Sequence, residues 1–174
     1  MRSLNALRAV VLAFGAAYLI FSQDHSIAVG MFILNVVTVA LVIGAIVIQR
    51  IANLKVTINN ILVPSVIALA VAVLSFVYLG GKDLFQFKVL VILFVAAMAV
   101  HELVLATKAE QVDKLELRIS AALGVLTALL FLFAPLNDLN AVGFFSAYLA
   151  ISAVQRAVWA AEPTSGKKSS NGKE

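Results

Sequence analysis

Six long apolar stretches run along the chain, each separated from the next by a short polar break. They cover Leu7–Ser22, Ser26–Gln49, Ile61–Leu79, Val89–Thr107, Ile119–Pro135 and Ala141–Ala161. Each is near the ~20 residues that a helix rising 1.5 Å per residue needs to cross a ~30 Å hydrocarbon core. The first and fifth are short, but each has an arginine at its inner end, Arg8 and Arg118, whose charged head can reach the interface while its stem covers apolar surface. None of the stretches alternates with the period of two expected of barrel strands. Lipid also requires every backbone group to be satisfied within its own segment. The pattern therefore predicts an all-α integral membrane bundle of six transmembrane helices. The prolines fall where that reading allows them: Pro64 in a first turn, Pro135 closing the fifth span and Pro163 after the sixth.

Composition strengthens the membrane reading. Hydrophobic residues make up 63% of the chain and charged residues only 13%, about half the share usual in soluble domains, with a mean hydropathy of +1.05. A soluble domain of 174 residues has too little interior to hide so much apolar surface. The absence of cysteine excludes disulfides, thiolate metal sites and cysteine nucleophiles.

Charge placement predicts the orientation. Arg2, Arg8, Arg50, Lys55, Lys108, Lys114, Arg118, Arg156, Lys167, Lys168 and Lys173 fall on one side, 11 of the 13 basic residues; only Lys82 and Lys88 fall on the other. The positive-inside rule then puts both termini in the cytoplasm and the protein in the cell membrane as a multi-pass species. A basic pI near 9.6 is thereby explained by topology, and nucleic-acid binding is not expected. An alternative for the first stretch is a secretory signal peptide built from Arg2, Arg8 and the run Ala9–Phe21, although no small-x-small cleavage site stands cleanly before Ser22–His25. The outer connections Gln23–His25, Gly80–Lys88 and Leu136–Asn140 are too short to fold as domains. The inner breaks Arg50–Asn60 and Lys108–Arg118 are expected to extend the flanking helices, with Glu110 and Lys114 at i,i+4. Residues 162–174, rich in Ser, Gly and Lys, read as a disordered cytoplasmic tail.

The spans suggest three helical hairpins in series. Leu7-Arg8 and Leu117-Arg118 each open a span from the inner side, and Val29-Gly30-Met31-Phe32 and Val142-Gly143-Phe144-Phe145 each open a return span. Ala13-Phe14-Gly15 corresponds to Ala122-Leu123-Gly124, whereas the middle hairpin diverges and has Gly80-Gly81 in its turn. In this layout the chain resembles the HdeD-like family of short-repeat bacterial membrane proteins. The residues that carry the likeness best are Leu123-Gly124-Val125 through Ala134-Pro135, then Val142-Gly143 and Tyr148-Leu149-Ala150. The proline turn occurs only in the third hairpin; the first has Ser22-Gln23-Asp24-His25 in its place. The resemblance implies a bacterial inner or cytoplasmic membrane and a link to stress or acid tolerance. It carries no catalytic motif.

Candidate chemistry is confined to ionisable and polar residues inside the spans, where an unpaired charge at the centre costs a few kcal/mol. His101, Glu102 and Arg156 qualify, with Asn35 and Thr38 as mid-span hydrogen-bonding groups. Glu102 and Arg156 lie at similar depth, roughly 20 Å in from the outer face, on helices running the same way, so they are placed to pair. His101 is about 100° around the helix from Glu102 and cannot face the same partner equally. Two readings follow: a clamp between helices, or a proton, ion or anionic head-group site. Asn35 and Thr38 likewise suit either bonds across helices or a pore or ligand role. Ala96, Ala97, Ala99 and the Ser146-x-x-x-Ala150 spacing mark close-packing faces.

Enzyme signatures fail. His101-Glu102 opens like the zinc-protease motif, but Leu105 stands where the second histidine is required. Ser146 and His101 differ by roughly 10 Å in depth, too far for a nucleophile and its base. No catalytic residue, cofactor or metal is expected. The expected partners are the lipid bilayer and a larger membrane complex or a second copy of the chain.

Overall fold

The computed structural model describes residues 2–51, 66, 70, 71, 73, 74, 83–107 and 111–161. Five helices are continuous within these: α1 (Arg2–Phe21), α2 (Ile27–Ile51), α3 (Leu84–Ala106), α4 (Gln111–Phe133) and α5 (Asp138–Ala161). No strand occurs among the described residues. Four helical segments are long and apolar enough to cross a membrane, namely Ile27–Gly44, Leu84–Ala106, Lys114–Phe133 and Asp138–Ala161; the shorter Asn5–Phe21 is also apolar. Most of the expected third span, Ile61–Leu79, lies outside the described residues. So do the Gly80-Gly81 turn, Glu110 of the expected Glu110–Lys114 pair and the 162–174 tail.

Four helices begin earlier than their apolar runs: α1 at Arg2, five residues before Leu7, and α4 at Gln111, eight before Ile119, as well as α3 and α5. α3 starts at Leu84, five residues before Val89, because Asp83 caps it: its carboxylate accepts from the Phe85 N–H at 3.0 Å. α5 starts at Asp138, three residues before Ala141, where the Asn137 side chain accepts from the Asn140 N–H at 2.8 Å and Asp138 supplies an acidic first turn. Between α1 and α2, Asp24 accepts from the Ser26 N–H at 2.9 Å and turns the chain within a few residues.

The most extensive packing does not follow the series of hairpins. α1 lies chiefly against α5, and α3 chiefly against α4; α1 against α2 comes next, while α4 and α5, joined by a short turn, touch less. Glycines explain both close approaches. A Cβ on Gly124 would sit 3.0 Å from Ala99 Cβ and 3.0 Å from the Val95 carbonyl oxygen, so α3 and α4 meet there nearly backbone to backbone. A Cβ on Gly15 would come within 2.6 Å of Val37 and 3.3 Å of Leu149, which brings α1 onto α2 and α5 together.

One half of the bundle, at the N-terminal ends of α2, α3 and α5, is filled by aromatic rings. Phe87 is fully buried and meets Phe131 edge-on at 6.3 Å between centroids and Phe145 at 5.8 Å, joining α3, α4 and α5. Gly30 of α2 lies against the Phe87 ring and Val142. At the same end the Lys88 ammonium donates to the Ala134 carbonyl at 3.2 Å, satisfying one of the oxygens left open where α4 ends.

Candidate functional site

The opposite half of the bundle contains the charged groups. Glu102 is the nineteenth residue of α3 and Arg156 the nineteenth of α5, so each lies roughly 27 Å along its helix from the N-terminal end. The two are buried, at 5% and 7% exposure, and form an ion pair, the Arg156 Nη2 donating to Glu102 Oε1. The same nitrogen lies 3.3 Å from Ser120 Oγ of α4. The guanidinium carbon stands 4.6 Å from the centroid of the Trp159 ring, three residues further along α5. One arginine thus ties α3, α4 and α5 together, with an aromatic face over it. A second link at this end runs from the Gln155 amide to the Glu116 carbonyl at 3.4 Å.

His101, beside Glu102 in sequence, is also buried, at 6% exposure, but its Nε2 has no hydrogen-bond partner. Arg8 of α1 is half-buried at the same level: α1 and α5 run antiparallel with Gly15 against Leu149, so Arg8, seven residues before Gly15, stands level with Arg156, seven after Leu149. The structure therefore brings Glu102, Arg156 and His101 to one level of the bundle. It adds Arg8, Ser120 and Trp159 to them.

Asn35 is not part of this group. It lies eight residues into α2, roughly 12 Å from the N-terminal end of that helix, which separates it from Glu102 by some 15 Å along the bundle. Its amide donates to Met31 O at 3.0 Å, and the Thr38 hydroxyl donates to Leu34 O at 2.6 Å. Both side chains spend these donors inside their own helix, on the carbonyl four residues back, and not across to a neighbour. Ser146 also bonds within its helix, donating to the carbonyl three residues back, Gly143 O, at 2.7 Å. Among the described residues, no three of His, Asp or Glu come close enough to hold a metal ion.

Sequence reasoning missed Ser120, because a serine in a span carries no signal of its own, and treated Arg8 as an interface anchor. The spacing Arg156-x-x-Trp159 held a usable clue, since residues three apart on a helix are neighbours. Compared with known protein families, with curated proteins and with solved structures, the chain matches none.

Proposed function

We propose that the chain is a six-span membrane protein of structural or accessory type, with both ends in the cytoplasm, whose bundle is locked near its inner face by Arg156. The observation that carries this reading is the economy of that arginine. Its bonds go to Glu102 on one helix and Ser120 on another, and its face is stacked on Trp159. A guanidinium engaged in this way serves to hold helices together and to fix which faces the bundle presents. The 11-to-2 split of basic residues supports the six-span orientation. The HdeD-like resemblance alone supports a setting in stress or acid tolerance. An accessory role is tested by purifying the intact chain from native membrane: a stoichiometric partner is expected, and recovery of the chain alone or as a homo-oligomer would count against assembly into a larger complex.

The unpartnered Nε2 of His101 favours one second reading, a small transporter or channel with an intramembrane polar site. Ion or proton flux through proteoliposomes that disappears in His101→Leu, with the protein still folded, would support it over the structural one.

A further inference from the structure

The inner cluster has more positive than negative charge. The carboxylate of Glu102 is already committed to Arg156. Arg8 makes no hydrogen bond or ion pair to any described residue, although it is half-buried on the helix that packs most closely on α5. His101 adds a buried ring nitrogen with no partner. A half-buried guanidinium level with a second guanidinium is costly without an anion to share, and a buried imidazole Nε2 without a partner can, when protonated, donate to an oxyanion. Depth restricts where that anion comes from. Measured from the outer ends of the apolar runs, at Ser22, Pro135, Val89 and Ala141, Arg8, Ser120, Glu102 and Arg156 all lie roughly 20 Å in. In a ~30 Å core this is the inner third, from which an arginine head reaches toward the inner interface, where basic pockets between helices take phosphate head groups.

We propose that Arg8, His101 and Arg156 form a binding site for a phosphate-type oxyanion at the inner end of the bundle, supplied by an anionic lipid head group or by phosphate from the cytoplasm. This goes beyond the clamp and rests on it only for the inner placement of the cluster. Arg156 orients the site through Glu102, Arg8 contributes the unspent charge, and His101 contributes a directional donor.

The test uses the full chain in nanodiscs of phosphatidylcholine with and without phosphatidylglycerol, and in neutral detergent with inorganic phosphate or with chloride at matched ionic strength. Thermal unfolding and lipid retention are read in each. Phosphatidylglycerol is expected to raise the melting temperature and to be retained. Arg8→Gln is expected to retain it roughly fivefold less, the effect of losing one basic group near the surface. In phosphatidylcholine alone, Arg8→Gln should melt no lower than the native chain, because it removes a charge that repels Arg156; a purely structural arginine would lower melting in both lipids. A variant in which Lys167, Lys168 and Lys173 are all replaced by Gln should keep the selective response, which separates the site from general attraction to the tail. Stabilisation by phosphatidylglycerol alone identifies a lipid site, and stabilisation by inorganic phosphate alone identifies a soluble oxyanion. If neither stabilises the native chain, or if Arg8→Gln responds like the native chain, the proposal is overturned. The clamp would be untouched by that outcome, since it is read in the Glu102 and Arg156 variants.

Discussion

Trp159 lays its ring over the guanidinium of Arg156 at 4.6 Å, one turn along the same helix, and so covers a charge that Glu102 already neutralises. The two contacts act on different parts of the group: the carboxylate takes an N–H, and the indole takes the flat face. Trp159→Leu is therefore expected to destabilise the bundle by about 0.5–2 kcal/mol, while Trp159→Phe retains part of that. Thermal melting of the two variants in one detergent checks the order.

The glycines of α4 and α5 offer a contrast. Gly124 is pressed against Ala99 and the Val95 carbonyl, whereas a Cβ on Gly143 would meet nothing within 4 Å. Gly124→Ala should cost about 1–3 kcal/mol through overpacking. Gly143→Ala should be neutral or slightly stabilising, since alanine is the better helix former. Equal effects in a side-by-side melt would mean that α3 and α4 do not approach as described.

Phe87 and Phe85 are two residues apart on α3 and opposite in role. Phe87 is fully buried between Phe131 and Phe145, and Phe85 is 70% exposed. In lipid the loss on truncation is one of packing rather than of transfer from water. Phe87→Ala is expected to cost about 3 kcal/mol, the low end of the range for buried aromatic residues, and Phe85→Ala less than about 0.5 kcal/mol. Comparative melting of the purified variants reads this directly.

Orientation is checked separately. A reporter fused after Glu174 should be active only in its cytoplasmic form, and one inserted at Asn137 only in its external form. An external signal after Glu174 would exclude the six-span reading and, with it, the inner placement of the charged cluster.

How much of this was legible in the residues depends on what each kind of contact requires. Helix was legible because continuous apolar runs in lipid leave few other choices. The starts of α3 and α5 were misplaced because Asp83 and Asn137 look like loop residues until their side chains are seen capping the turn. Glu102 and Arg156 could be matched by depth alone, since both project from helices running the same way. Asn35 and Thr38 could not, because the carbonyl four residues back competes with any neighbour for their donors. Repeats suggested tight hairpins, yet the closest partners are α1 with α5 and α3 with α4. Those choices depend on where Gly15 and Gly124 open space, and spacing along the chain does not encode which helix fills it.

The central claim is that the Arg156–Glu102 pair holds the inner end of the bundle together, and a double-substitution cycle tests it most directly. Glu102→Leu and Arg156→Leu each leave one buried charge without its partner, so each should cost about 3–5 kcal/mol in thermal or denaturant unfolding. Combining the two removes both charges and should recover most of that loss, because an apolar pair of similar volume replaces a buried ion pair at little cost. Recovery in the double variant is the result this account predicts. Losses that simply add, or single variants that unfold like the native chain, would contradict it.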